Sequence, residues 1–544
     1  MAFDTMPAMH AATPLQPGSP GFRLAGLYLK TFAVYLLGMY VLWAVGFETI
    51  YAHPTPFYAL FAPALALPVA AALAALLLLG GRDALVPPRP GDRGRHIVLA
   101  LPIFLVAVAA AVLGPAAEGL GPGEAALRLL KQLAWQIPAL AVFGVGAWRL
   151  IGHVLPRLAS PAPLQPAETR RILIGLFAFS IAFACGIAMI RGGLYGIEQA
   201  YARSAYEYIG DIGKTRSIQA LFAQYLDIHE HLSMHAKVHP PGPIALLWLF
   251  SMFLLTSSPL PLSLATVVFS SLAIFPLYGW TKRVTDARTA LVACLCYCLI
   301  PSVVLFTATS ADALFTPFTL GTLYCFERAI RTRSARFALL AGAGYGAMML
   351  LKFSLIGVGA YFGLVGLWLM RRPETRWNVA QTAALMIAAV GAVLGAVYWW
   401  SGYDIYANFL VAKAQFDLDQ KHLDELAPRL AAWTYRFWNP ACWFYFGGIP
   451  LALLFLRELF RGGAERRAQW IVFALALFAL NLLYIARGEG ERSALYMIPF
   501  ILMPAASRLV RLNDESGDQG PLLLTLAFLA YQTWFTETFF YTYW

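Results

Sequence analysis

About fifteen stretches of roughly 16–22 mostly apolar residues run through this chain, the first over 27–49 and the last over 521–539. A run of that length crosses the ~30 Å hydrocarbon core of a bilayer as an α-helix, which satisfies every backbone amide and carbonyl where no water can. The runs predict an all-α, polytopic membrane protein and exclude a water-soluble domain. Charge content points the same way: 13% of residues are charged, against about 25% in soluble domains.

Basic residues gather in cytoplasmic loops, so their positions set the topology. The excess of 40 Lys+Arg over 29 Asp+Glu reports orientation and does not argue for a nucleic-acid partner. The first twenty-odd residues lack the basic start of a signal peptide and read as a cytoplasmic tail. Arg82, Arg89, Arg93 and Arg95 follow the second run, and Arg149, Arg157, Arg170 and Arg171 follow the fourth. The N-terminus is therefore predicted inside and residues 191–242 outside. Downstream clusters, from Lys282/Arg283/Arg288 to Arg508/Arg511, all fall inside on one condition. The apolar segment 244–257, only about fourteen residues long, must not cross. A re-entrant or interfacial helix is expected there, directly after "HPPGP".

This topology gives about fifteen spans, with 289–306 and 441–457 each expected as one. Four polar segments lie outside: 191–242, 307–312, 400–440 and 486–496. The Pro-rich "LPRLASPAPLQPAET" at 155–169 divides the chain. Residues 1–155 hold the tail and four extra helices, and 156–544 form the larger module.

Candidate chemistry collects on the external face. The loop at 191–242 carries Glu198, Glu207, Asp211, Asp227 and Glu230. Gly210 and Gly213 bracket Asp211 and let the backbone turn its carboxylate toward the bilayer. A carboxylate placed there can serve as a general base for an acceptor hydroxyl, or it can be one more acid in a solvated loop. His231, His235 and His239 lie four apart and share one face if a helix runs through them. Zinc ligation, substrate or phosphate contact, and interfacial capping all stay open, although no HExxH is present and Pro240–Pro241 interrupt the helix. Cys294, Cys296 and Cys298 cannot converge at i, i+2, i+4 spacing, and all six cysteines read as packing residues.

Asp312, in "SADALF", is either an N-cap or a buried polar site. Lys352 is a lone cation between two apolar runs, functional by default unless it snorkels to water. Arg492 at the outer face opposes the positive-inside trend and fits an anionic headgroup, unless Glu491 beside it satisfies it.

In combination these pieces resemble the GT-C superfamily of integral-membrane glycosyltransferases, which includes protein O-mannosyltransferases and aminoarabinose transferases. The likeness rests on the acidic first external loop, "HPPGP", "TATSADALF", "GAGYGAMMLLKFSLIG" and "GEGERSALYMIP", and covers roughly 172–510. It implies a catalytic acid in that loop, Asp211 first, with Glu207 and Glu198 as rivals. "IEQAY" stands where an Asp-Glu pair precedes a tyrosine in aminoarabinose transferases, which leaves the choice of base open. The resemblance further implies a second polar site at Asp312 and phosphate contacts from Lys352 and Arg492; on the residues themselves His235, His239 and Glu491 are candidate substrate or phosphate contacts.

The implied activity is inverting transfer of a sugar from a polyprenyl-phosphate donor to a glycan, lipid or protein acceptor. The implied place is the outer face of a bacterial cytoplasmic membrane. No particular cofactor is implied, and a divalent metal stays open. A lipid-linked-glycan flippase or transporter is the competing class, but it predicts internal repeats and charged groups at the bilayer midplane. An O-antigen ligase or polymerase shares the donor and the side.

Overall fold

A computed structural model describes residues 20–44, 122–159, 164–203, 205–426, 435–461, 463–483, 492 and 495–539. Among these residues every regular element is helical. The expected runs at 57–80 and 97–115 lie outside the described residues, as does most of 486–496.

Five described helices are long and apolar enough to cross a membrane: Ala134–Ala159, Pro166–Ile190, Pro259–Val284, Phe353–Met370 and Pro373–Ser401. Two bent pairs would raise the number to seven. The segments expected as single spans at 289–306 and 441–457 are those pairs, and neither is straight. Ala287–Tyr297 and Pro301–Thr309 meet at 54°, where Pro301 opens the second helix and cannot continue the first. Asn439–Phe446 and Ile449–Phe460 meet at 112°. Gly447 and Gly448 form that corner, with Gly448 at φ 94°, a conformation costly for any side chain.

Burial sorts the helices into two kinds. The Ala287–Tyr297/Pro301–Thr309 pair is enclosed by protein over nearly all its length, as is most of Ile498–Ser516. Around this centre stand helices with bare apolar faces, such as Pro373–Ser401, where Ile387 is 73% and Trp399 89% exposed. Such surfaces suit lipid, which solvates them as well as a protein core does.

The helix Ala335–Leu351 packs against both Thr316–Thr332 and Pro373–Ser401. A Cβ at Gly342 would sit 2.4 Å from the Met386 carbonyl oxygen, so only glycine permits that approach. Small residues are the usual device for packing helices without a hydrophobic driving force. Here the packing fixes the end of the helix, where Lys352 stands.

Between Gly242 and Leu254 lies one 13-residue apolar helix, closed by Leu255 in the left-handed conformation. At 1.5 Å per residue it extends about 20 Å, well short of a ~30 Å core. The cysteines Cys294, Cys296 and Cys298 are buried and free. Cys294 and Cys298 point at different neighbours, the Ile274 and Leu176 carbonyls.

Candidate functional site

The loop from 203 to 241 is folded back on itself by its own backbone. Met234 donates its amide to the Ala205 carbonyl (3.2 Å) and His235 to that of Tyr206 (3.1 Å). The Tyr225 hydroxyl donates to the carbonyls of Ala236 (2.8 Å) and His239 (3.0 Å). His229 Nε2 stands 2.9 Å from the Lys237 carbonyl. Two strands of loop are thereby held side by side, with Glu207 just past one tie and His235 on the other.

Around that join lies a buried network drawn from four distant segments. Lys352 Nζ donates to Asp312 Oδ1 at 2.7 Å, and Arg492 Nε lies 3.3 Å from Asp312 Oδ2. Arg492 also reaches Glu207, with Nη1 4.0 Å from Oε1, and its Nη2 lies 3.5 Å from His235 Nε2. His235 Nδ1 stands 3.1 Å from the same Glu207 oxygen. Glu207, Asp312, Lys352 and Arg492 are all buried. Tyr208 packs its ring 6.2 Å from those of both His235 and His239.

Electrostatics follow from this enclosure. Burial by itself would raise the Asp312 pKa, but Lys352 and Arg492 outweigh it and hold the carboxyl below the ordinary range. Burial, reinforced by Lys352, holds the His239 imidazole well below its ordinary value, so it stays neutral. Its Nδ1 is buried and makes no hydrogen bond among the described residues. Two carboxylates thus face two cations and two imidazoles.

Residues 238–400 match the family model for dolichyl-phosphate-mannose-protein mannosyltransferases. That family is of the GT-C type, the type the sequence resembles, and the match indicates a membrane glycosyltransferase. No curated protein matches the chain.

The mannosyltransferase-family stretch begins at "HPPGP" and contains Asp312 and Lys352, while Glu207, His235 and Arg492 come to the network from outside it. The chemistry of "HPPGP" is visible in its packing. Pro241 precedes the helix and Pro243 sits in its first turn, where a missing N–H costs nothing. A Cβ on Gly242 would fall 2.1 Å from the Leu350 carbonyl oxygen. Glycine therefore lets the start of this helix touch the end of the helix that presents Lys352.

The other expected residues fall as follows. Asp211 is fully buried, and its carboxylate accepts from Lys214 Nζ (2.7 Å), the Ser233 amide (3.0 and 3.2 Å) and the Ser233 hydroxyl (2.6 Å). These contacts fasten the loop. Glu198 is half-buried on the helix Leu194–Ala202. Glu491 lies outside the described residues.

His231, His235 and His239 do not share a helix face, because the helix that would align them is broken. His231 closes a 3₁₀ turn, His235 lies in the four-residue helix Met234–Lys237, and His239 follows it. Among the described residues no three His, Cys, Asp or Glu side chains are grouped to hold a metal. Asp312 is not the cap: the Ser310 hydroxyl accepts the Asp312 amide instead. Nor is Lys352 a lone or snorkelling cation.

Sequence reasoning missed the contact of Glu207 with His235, and that of His235 with Arg492. Acid and histidine are 28 positions apart, and only the loop's backbone ties bring them together. Both lie in the acidic loop, which was the available signal.

Proposed function

We propose that the protein transfers a sugar from a polyprenyl-phosphate donor to a cell-envelope acceptor, at the outer face of a bacterial cytoplasmic membrane. The observation that carries this reading is the buried Asp312–Lys352–Arg492–Glu207 network, held where the GT-C-type stretch meets the external loop. Lys352 and Arg492 are the donor's phosphate ligands: Arg492 offers a planar fork, and Lys352 a point charge. Asp312 keeps both cations in place until the phosphate draws them.

Glu207 supplies the basic side of the network, together with the His235 imidazole against it. Among the described residues neither of its oxygens accepts a well-aligned hydrogen bond, unlike Asp211, whose lone pairs are engaged. The hydroxyl attacks the anomeric carbon from the face opposite the phosphate and inverts it. Phosphate is a competent leaving group, so the cations need only stabilise charge as it develops. The short helix after "HPPGP" lies at the bilayer surface and lets the lipid-linked donor reach the network from the side.

The test is direct. Purified protein in lipid nanodiscs is incubated with a panel of polyprenyl-phosphate sugars, and transfer or donor hydrolysis is followed. Turnover of at least one donor is expected; inertness toward all of them sinks the reading.

A further inference from the structure

His235 lies closer to the Glu207 carboxylate than Arg492 does, and its two ring nitrogens face opposite chemistry. Nδ1 stands 3.1 Å from the Glu207 carboxylate, which accepts only. Nε2 stands 3.5 Å from an Arg492 Nη2, which donates only. One arrangement satisfies both: the proton sits on Nδ1 toward Glu207, and the Nε2 lone pair faces Arg492. The Nδ1–Glu207 contact is off the ideal line, as catalytic hydrogen bonds often are before substrate binds.

Access separates the two members. The Glu207 side chain is 1% exposed and that of His235 is 19%. An acceptor hydroxyl can therefore reach the imidazole more readily than the carboxylate. The contact is also built into the loop, since the His235 amide donates to the Tyr206 carbonyl one residue before Glu207.

From this geometry we infer that His235 Nε2 is the catalytic base of the transfer and that Glu207 is a positioning residue acting through His235 Nδ1. The inference rests on the glycosyl-transfer reading and deepens it. Arg492 lies over the Nε2 lone pair. An entering phosphate draws the guanidinium toward itself and uncovers Nε2, so deprotonation is confined to the donor-loaded site. The acceptor O–H proton passes to Nε2 as the acceptor oxygen bonds to the anomeric carbon. The bond from that carbon to the phosphate oxygen breaks, its electron pair leaving with polyprenyl phosphate. The imidazolium is held against Glu207 and returns its proton to water. Besides Glu207 and Arg492, Tyr208 faces the ring of His235, and His239 is electrostatically coupled to it, as it is to Lys352 and Asp312.

Two measurements test the inference separately from the reading beneath it. In the first, ring-nitrogen NMR on protein carrying ¹⁵N-histidine reads the tautomer of His235 without any substrate, the signal being assigned by its loss in His235→Gln. A proton on Nδ1 and a bare Nε2 are expected, with the balance shifting in Glu207→Gln. A proton on Nε2 overturns the dyad whether or not the protein is active.

In the second, kcat and kcat/KM are followed against pH. Glu207→Gln and His235→Gln are each expected to lower kcat by about 10²–10⁴, while donor KM moves by less than about tenfold. The acid limb of the wild-type profile should be missing from His235→Gln. A variant that keeps the wild-type rate or that limb overturns His235 as base. Failure of the wild type on every donor overturns the glycosyl-transfer reading, and with it the catalytic role, while the tautomer still decides the geometry.

Discussion

Lys352 Nζ and Asp312 Oδ1 lie 2.7 Å apart inside the protein, joined across 40 residues of sequence. Neither side chain is more than 8% exposed, and Arg492 approaches the second Asp312 oxygen. A buried ion pair is weak evidence for stability, because the desolvation of two charges offsets much of their attraction. Its presence in an otherwise apolar bundle is better explained by use, as is usual for ionisable groups among membrane helices.

Removing Lys352 takes the closer of two cations from the buried Asp312 carboxylate and leaves Arg492 against it. Lys352→Met is expected to destabilise the fold by about 3–5 kcal/mol, measured by thermal unfolding in detergent. The double variant Lys352→Met/Asp312→Leu should regain most of that stability, yet neither protein should transfer sugar. If the double variant is as unstable as the single one, the charge pair is not what limits stability.

Asp211 and Glu207 should part company. Asp211→Asn weakens several charge-assisted hydrogen bonds that fasten the loop, and should cost about 1.5–3 kcal/mol while its folded fraction still turns over donor. Glu207→Gln should fold normally and lose turnover. Loss of activity in a fully folded Asp211→Asn protein would return Asp211 to the mechanism.

Arg492 holds contacts to Asp312, Glu207 and His235 at once, which a single ammonium cannot reproduce. Arg492→Lys is expected to raise donor KM by about tenfold, the loss of roughly one charge-assisted hydrogen bond at about 1.5 kcal/mol. Steady-state kinetics with the donor varied would read it, and an unchanged KM would take Arg492 out of the phosphate site.

Gly242→Ala forces a methyl group against the Leu350 carbonyl, which is backbone and gives little. A cost of about 1–3 kcal/mol is expected from overpacking, together with weaker donor binding as the end of the Lys352 helix is displaced. Unfolding and donor-dependent stabilisation, measured on the same sample, separate the two effects.

His239 makes stability depend on pH. Its folded pKa is depressed by burial and by Lys352, so between that value and about 6.5 the unfolded chain binds the extra proton. Stability should fall as pH is lowered through this window and be level above it. Asp312, also depressed, acts with the same sign but only below about 3.9. Unfolding temperatures between pH 7.5 and 5.5 should fall less steeply in His239→Gln than in the wild type; equal slopes would show that His239 is not the group responsible.

The sequence by itself determined the helical membrane class, because apolar runs of that length have no other way to satisfy their backbone. It also placed Asp312, Lys352 and Arg492 as suspects, since charge in such surroundings demands a partner. It could not name the partners. The meeting of Asp312 with Lys352, and of Arg492 with Glu207 and His235, depends on contacts between segments far apart in the chain. So does the meeting of Glu207 with His235, which hangs on backbone hydrogen bonds that any pair of side chains at those positions would allow. Identity and spacing tell which groups cannot be left alone in a membrane; only the packed loop and helix ends decide which of them meet.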